Sequence, residues 1–510
     1  MFGSLFKPHG DHASPAPSTL DRDAAAKQGY ASNGATNNAV EFDELHVVCP
    51  PHTTEKALVR KIDLRVIPFL CILYLLAFLD RVNIANAQTF GLAADLKLTG
   101  LQYNTCLTIF FVPYVFFEIP SNILLKRQPP RIWLSLLMFL FGLVSICQGL
   151  VHNYGGLLTT RFFLGMCEAG MFPGSFYLIG MWYKRSESQR RYSFFFSSTT
   201  LAGAFGGLLA SAIGKMDYMR GYRGWRWIFI LEGVLTCVVA LAFFFLIPGF
   251  PEQATWLTDE ERAYVVARLQ VDQGRSAVER KITLRDVGRV FKDYKIYLGG
   301  FMYFGLIVPG YGYAFFAPTI IKTYGYSNIR TQLYSVPPWA CAFAFAMIIA
   351  FLSDKFQHRF LFVLIPECVA IAGFAILMRV HDNNHVEYAA LFLVTMGTYA
   401  AMPVTVCWFN MNLGGHHRRA VGTAWQVGFG NIGGIIATYA FLSTDAKKYY
   451  HTGYSISISF VCLSALTSCI YALAITRENR KRDGAVVDVG LSEYEKTELG
   501  DLSPDYRYFL

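Results

Sequence analysis

Asp80 and Arg81 stand side by side in the apolar run "LYLLAFLDRVNIANA", and Arg161 and Glu168 stand seven residues apart in "RFFLGMCEAGMFPGSFYL". Seven residues are two helical turns, so the second pair shares nearly one helix face. An arginine fork suits a carboxylate, which it binds through paired hydrogen bonds. A desolvated Asp or Glu beside such charges is the kind of group that is tuned to accept a proton. With all four ionised the charges cancel. Each proton then taken by Asp80 or Glu168 leaves one positive charge for an anion to balance, so proton and anion would bind together. The plainer alternative is that the four neutralise one another and lock one helix to another.

These residues need elements that hold them in a medium where charge is scarce, and the composition supplies one. The chain has 510 residues, 54% hydrophobic and only 16% charged, against about 25% charged in soluble domains. Twelve apolar stretches reach the roughly 20 residues that a membrane-crossing helix needs: 66–85, 102–124, 131–151, 155–182, 192–214, 225–247, 296–321, 332–352, 360–379, 387–410, 420–442 and 454–476. The expected fold is an all-α membrane protein of twelve transmembrane helices in two six-helix halves. The organisation is a disordered N-terminal tail (1–57), a first bundle (58–247), a polar central loop (248–293), a second bundle (294–476) and a C-terminal tail (477–510). In the central loop, Thr258 followed by Glu261 has the spacing of a capping box. "SNILLKRQPPR" after the second span and "AFLSDKFQHRF" after the eighth echo each other, as duplicated halves of a transporter do.

An even number of spans puts both tails on one side. With the central loop left out, the segments flanking the spans on that side carry 19 Lys and Arg and the opposite loops 10, so both termini are expected in the cytoplasm. The same distribution accounts for the net charge of +9 without nucleic acid. The tail lacks the apolar core of a signal peptide. The eleven cysteines are dispersed and form no CxxC pair. His416 and His417, adjacent in a basic loop, read as solvated rather than as a metal site. No cofactor, metal or obligate protein partner is implied, and no zinc motif or nucleophile elbow points to an enzyme.

Depth can be estimated. If the first helix enters near Val66, Arg81 lies about 22 Å in, roughly 8 Å from the outer edge of a ~30 Å core. If the fourth runs inward from near Gly155, Arg161 lies about 9 Å from that edge. Two guanidinium groups at one depth would repel unless carboxylates or an anionic ligand stood between them. Around them are less specific candidates. Glu118, near the inner end of the second span, either faces a cavity or serves packing or gating. Glu232 either pairs with Arg226 or caps backbone, and Glu367 has no assigned role. "IVPGYGYAFF" (Ile307 to Phe316) is expected to interrupt the seventh span and line a cavity, where Tyr311 and Tyr313 either stack on a planar substrate or pack. In the eleventh span Gln426 and Asn431 could hydrogen-bond substrate, among glycines that permit close packing.

With these residues on the page, the chain resembles the major facilitator superfamily, specifically the anion:cation symporter family in its fungal branch of allantoate, nicotinate and vitamin permeases. The resemblance rests on "FLDRVNIANA", "RFFLGMCEAGMFPGSFYL", "GWRWIFILEG", "GNIGGIIA" and the closing "PDYRYFL", in that order. One departure is that the second-to-third loop has Asn122 and Lys126 but no acidic gating residue, whereas the eighth-to-ninth loop keeps Asp354. The resemblance implies the major facilitator fold and proton-coupled uptake of a small organic anion by alternating access. The Asp-Arg pair and the Arg and Glu seven residues apart would serve anion binding and proton coupling. The expected assignment is therefore Arg81, Arg161, Tyr311, Tyr313, Gln426 and Asn431 for substrate, Asp80 and Glu168 for the proton, and Glu118 and Asp354 for gating. The partners are an organic anion, protons and the lipid bilayer, most simply the plasma membrane. Two alternatives stand beside it: a proton-driven exporter of a fungal secondary metabolite, which would confer resistance without uptake, and a nutrient receptor that only signals.

Overall fold

The computed structural model describes residues 49–273, 284–414, 416–442, 445, 449–484 and 506–510. It falls into two units, residues 1–49 and Pro50–Leu510, and the second holds every element considered below. Expectations that concern residues 1–48, 274–283 and 485–505, Lys447, Lys448, or the side chains of Lys126, Arg127, Arg185, His416 and His417, fall outside the described residues.

The described residues are helical throughout. The first half contains α1 (Glu55–Thr89), α2 (Gln102–Arg127), α3 (Pro130–Gly149), α4 (Tyr154–Glu168), α5 (Met171–Trp182), α6 (Arg185–Ile213) and α7 (Gly224–Leu246). After α8 (Asp259–Gln273) and α9 (Leu284–Val290), the second half contains α10 (Tyr294–Lys322), α11 (Asn328–Phe356), α12 (Arg359–Arg379), α13 (Asn384–Met411), α14 (His416–Ala440) and α15 (His451–Gly484). Eleven crossings are long and apolar enough to span a bilayer, with α4 and α5 together making one of them. The remaining crossing, α14, carries Arg418, Arg419, Gln426 and Asn431 among several glycines, which dilutes its hydropathy. Large apolar side chains such as Phe245 (83% exposed) and Phe116 (75%) point outward, which only lipid would tolerate.

Proline placement departs from the sequence expectation. The seventh crossing is not interrupted: α10 runs unbroken over 29 residues with Pro309 and Pro318 inside it. The break falls in the fourth crossing, at Ala169–Gly170 between α4 and α5. Pro173 explains it, because it has no N–H to offer the carbonyl four residues back at Ala169, and its ring crowds that carbonyl. Glu168 is thus the last residue of α4.

The two halves meet along α6 and α11 and along α2 and α14, where glycines admit the partner helix. A Cβ on Gly434 would overlap the Phe111 ring, and one on Gly203 would overlap Trp339. At the end of the bundle remote from the start of α1, Lys322 Nζ donates to the Thr89 carbonyl (2.9 Å), Gln332 to Thr89 Oγ1 (2.7 Å) and Asn104 to the Thr438 carbonyl (2.6 Å). At the opposite end, Asp354 accepts from Arg359 of its own half at 2.8 Å and faces Arg190 of the other half at 3.7 Å. Arg190 is mostly solvated, so that second pair contributes no more than about 1 kcal/mol.

Outside the membrane, α8 opens with a reciprocal cap. The Glu261 N–H donates to Thr258 Oγ1 (3.2 Å), and the Thr258 N–H donates to Glu261 Oε2 (3.0 Å). Lys61 of α1 donates to the same oxygen at 2.7 Å, which ties α8 to the first half. Burial alone would raise the Glu261 carboxyl, but the hydrogen bonds from Lys61 and Thr258 and the Lys61 charge outweigh it and hold the group below its ordinary 4.5. A carboxyl held low stabilises the folded arrangement above its unfolded value and loses that contribution as pH falls through the folded value. Limited proteolysis of α8 is therefore expected to be faster in Glu261→Gln than in wild type near pH 7, and equal in the two near pH 3.

Candidate functional site

Arg81 is 2% exposed. Its Nε and Nη2 both donate to Glu168 Oε1, at 3.0 and 2.6 Å, and its Nη1 donates to the Tyr311 hydroxyl. One guanidinium therefore joins α1, the end of α4 and, across the division between halves, α10. The Phe110 and Tyr114 rings of α2 lie 5.0 Å from its Cζ, within cation–π range. The kink after Glu168 ends α4 where its carboxylate meets α1.

Arg161 is fully buried. Its two Nη atoms donate to the Arg81 carbonyl at 3.3 Å and its Nε to the Cys106 carbonyl at 3.4 Å, and it makes no ion pair among the described residues. Glu168 attracts it only from beyond hydrogen-bond distance. The Phe110 ring is within cation–π range of both cations, 5.3 Å from the Arg161 Cζ. Gly165 makes room for this arrangement, since a Cβ there would overlap the Phe110 carbonyl. Gly165→Ala is expected to cost about 1–3 kcal/mol through overpacking, seen as a lower melting temperature of the purified protein.

Asp80 does not join this group. It faces α3 and α7, where its two oxygens accept from Ser145 (3.1 Å) and Thr236 (3.2 Å). Glu232 does not pair with Arg226, which instead binds Asp95 at 3.3 Å and the carbonyls of Gly149 and Val151. Glu232 accepts a hydrogen bond from Asn83. Glu367 accepts from Ser464 at 2.6 Å.

Between the halves lies a cavity lined by Tyr74, Phe78, Tyr303, Tyr311, Tyr399 and Met402 among others, about 280 Å³ with its open mouth included. Tyr311 reaches it and Tyr313 does not, packing instead edge-on against Trp339 at 5.2 Å. Gln426 donates to the Gly299 carbonyl at 3.1 Å, within its own half. Asn431 is buried on the same helix. Glu118 is buried on α2 and has no hydrogen-bond partner among the described residues. Asp354 lies beside Arg190 and Arg359, away from Arg81 and Arg161.

The residues that sequence reasoning missed are Phe110 and Tyr114, one turn apart on α2, together with the hydroxyls of Ser145 and Thr236. An aromatic or a hydroxyl in an apolar run carries no signal of its own. Only Gly165, small in a run of large side chains, hinted that another helix came close.

A profile of the Major Facilitator Superfamily matches residues 70–438. The chain is 34% identical over 474 residues to the MFS-type transporter cnsO of Penicillium expansum, covering 90% of this chain and 91% of that one. It is 30% identical over 476 residues to the high-affinity nicotinic acid transporter of Saccharomyces cerevisiae, covering 92% and 88%. Among solved structures, a bacterial homolog of the human lysosomal transporter Spinster, inward-facing and unoccupied, superposes with a TM-score of 0.61 at 16% identity, over 80% of this chain and 96% of that one. The proton:xylose symporter XylE also gives 0.61 at 16%, over 79% and 94%.

Proposed function

Since this chain belongs to the major facilitator superfamily and is a multi-pass membrane transporter, we propose that it imports a small organic monocarboxylate together with protons by alternating access. The observation that carries the reading is Arg161, a fully buried guanidinium bonded only to backbone carbonyls. A buried charge without a counter-ion is costly, and an incoming carboxylate relieves that cost. The similarity to a nicotinic acid transporter supports a nicotinate-like acid as substrate, with vitamin and ureide acids as the neighbouring classes.

In this mechanism Glu168 and the substrate carboxylate compete for Arg81. Protonating Glu168 frees the Arg81 fork, which then closes on the substrate alongside Arg161. Asp80 is a second proton carrier: its partners are hydroxyls, which can donate to the carboxylate or accept from the acid. Because Arg81 also donates to Tyr311 of the opposite half, a change of partner at Arg81 reaches the contact between halves. The ties at Thr89 and Thr438 outside and at Asp354 inside are the ones that must alternate. The basic loops support cytoplasmic termini, and an uptake role favours the plasma membrane.

Uptake of radiolabelled carboxylates by cells expressing the full chain, compared at pH 5 and pH 7, tests the reading. Wild type is expected to transport faster at pH 5, and Glu168→Gln to lose that dependence. Wild-type uptake that ignores pH and is unchanged in the variant would defeat proton coupling.

A further inference from the structure

The buried carboxylates of the membrane region differ in one respect. Asp80, Glu168, Glu232 and Glu367 each accept a hydrogen bond from a side chain. Glu118, 3% exposed, accepts none on either oxygen among the described residues. It lies on the face of α2 that carries Phe111 and Tyr114, residues spaced for one helix side. Phe111 packs edge-on against Tyr311 at 4.9 Å, and the Tyr114 ring is 5.0 Å from the Arg81 Cζ. Glu118 is one turn further in than Tyr114, about 6 Å along the axis. Opposite it is Gly428 of α14: a Cβ built there would meet Glu118 Oε2 at 3.9 Å and nothing else within 4 Å. The carboxylate therefore lies against Gly428 at the division between the halves, on the inner side of the Arg81 group, with a gap there of about a methyl group.

An ionised carboxylate buried without a donor is expensive, and parting of the halves at Gly428, which has no side chain to block the approach, lets the donor come from outside the chain. We infer that Glu118 is the second anchor of the substrate site, and that the preferred substrates are carboxylates that carry a basic nitrogen on the side remote from the carboxylate. The carboxylate lodges at the arginines, and the protonated nitrogen donates to Glu118 one helical turn inward. Tyr114, whose ring lies 5.0 Å from the Arg81 Cζ, is one turn from Glu118, a spacing on the scale of a single small ring. This inference rests on the carboxylate reading above and adds the second contact point.

Matched carboxylates with and without the nitrogen test it, pyridine-3-carboxylate against benzoate and piperidine-3-carboxylate against cyclohexanecarboxylate. Uptake is measured at pH 5, where the pyridine nitrogen is partly protonated, in cells expressing the full chain, with membrane abundance measured alongside. Wild type is expected to favour the nitrogen-bearing member of each pair by at least about tenfold, which corresponds to roughly 1.4 kcal/mol. Glu118→Gln is expected to abolish that preference while uptake of the nitrogen-free acid is retained, which also shows that the variant folds. Glu118→Asp keeps the charge and is expected to keep part of the preference; it serves as the test if the Gln variant fails to reach the membrane. Wild type without a preference, a preference that survives in Glu118→Gln, or an equal fall for both members of a pair in either variant would overturn the second anchor while leaving the carboxylate reading intact. Wild type that takes up neither member of any pair would overturn both.

Discussion

Arg81→Lys is expected to reduce carboxylate uptake by at least about thirtyfold while the protein still reaches the membrane. Arg81 donates to Glu168 through two nitrogens and to Tyr311 through a third, a geometry that only a planar fork supplies. A lysine at this position keeps a positive charge for Glu168, so no carboxylate is left buried alone, and the fold is spared the roughly 3–5 kcal/mol that breaking a buried pair costs. What lysine lacks is a second and third directed donor. It can hold Glu168 or an incoming carboxylate, or reach Tyr311, but it cannot pass from one to another while keeping the link between halves. Loss of one buried charge-assisted contact is worth about 2 kcal/mol or more, which is the thirtyfold stated. Initial rates of radiolabelled uptake, normalised to membrane abundance, measure it. Uptake within threefold of wild type would mean that Arg81 serves the packing of α1 against α4 and nothing else.

The transmembrane layout was legible because a bilayer imposes one strong rule: every backbone polar group must be satisfied within the segment, so helical spans show as long apolar runs. The capping box at Thr258 and Glu261 was legible for a similar reason, since it is a local pattern with fixed spacing. Arg81 and Glu168 were legible because a charge in an apolar run needs a partner.

Direction was not legible. Asp80 and Arg81 are neighbours in sequence, but consecutive helical residues project about 100° apart, so Asp80 turns to α3 and α7 while Arg81 turns to α4 and α10. Arg226 and Glu232 fail to meet on the same ground, because six residues bring the helix round by about 240°. Prolines misled in the other direction. Pro309, set among glycines, is carried within a continuous helix, and Pro173, which drew no attention, breaks one. Whether a proline interrupts a helix depends on what surrounds the freed carbonyl, and that belongs to tertiary packing.

Arg161→Met is expected to abolish carboxylate uptake and, at the same time, to raise the melting temperature of the purified protein without substrate. The two effects share one cause. Arg161 is fully buried and makes no ion pair among the described residues, so its charge is a standing cost in the empty transporter. Methionine fills a similar volume without charge, and replacing buried ions by packed apolar groups stabilises by about 1–4 kcal/mol. The carbonyls of Arg81 and Cys106 that Arg161 bonds lie within α1 and α2, where the helix ladder can satisfy them without it. Glu168→Gln should move the melting temperature down, since it leaves the Arg81 charge facing a neutral amide. Added carboxylate should stabilise wild type by mass action and leave Arg161→Met unmoved. A stability cost in Arg161→Met, with carboxylate still raising its melting temperature, would show that the anion is held elsewhere and that Arg161 is a structural strut between α1, α2 and α4.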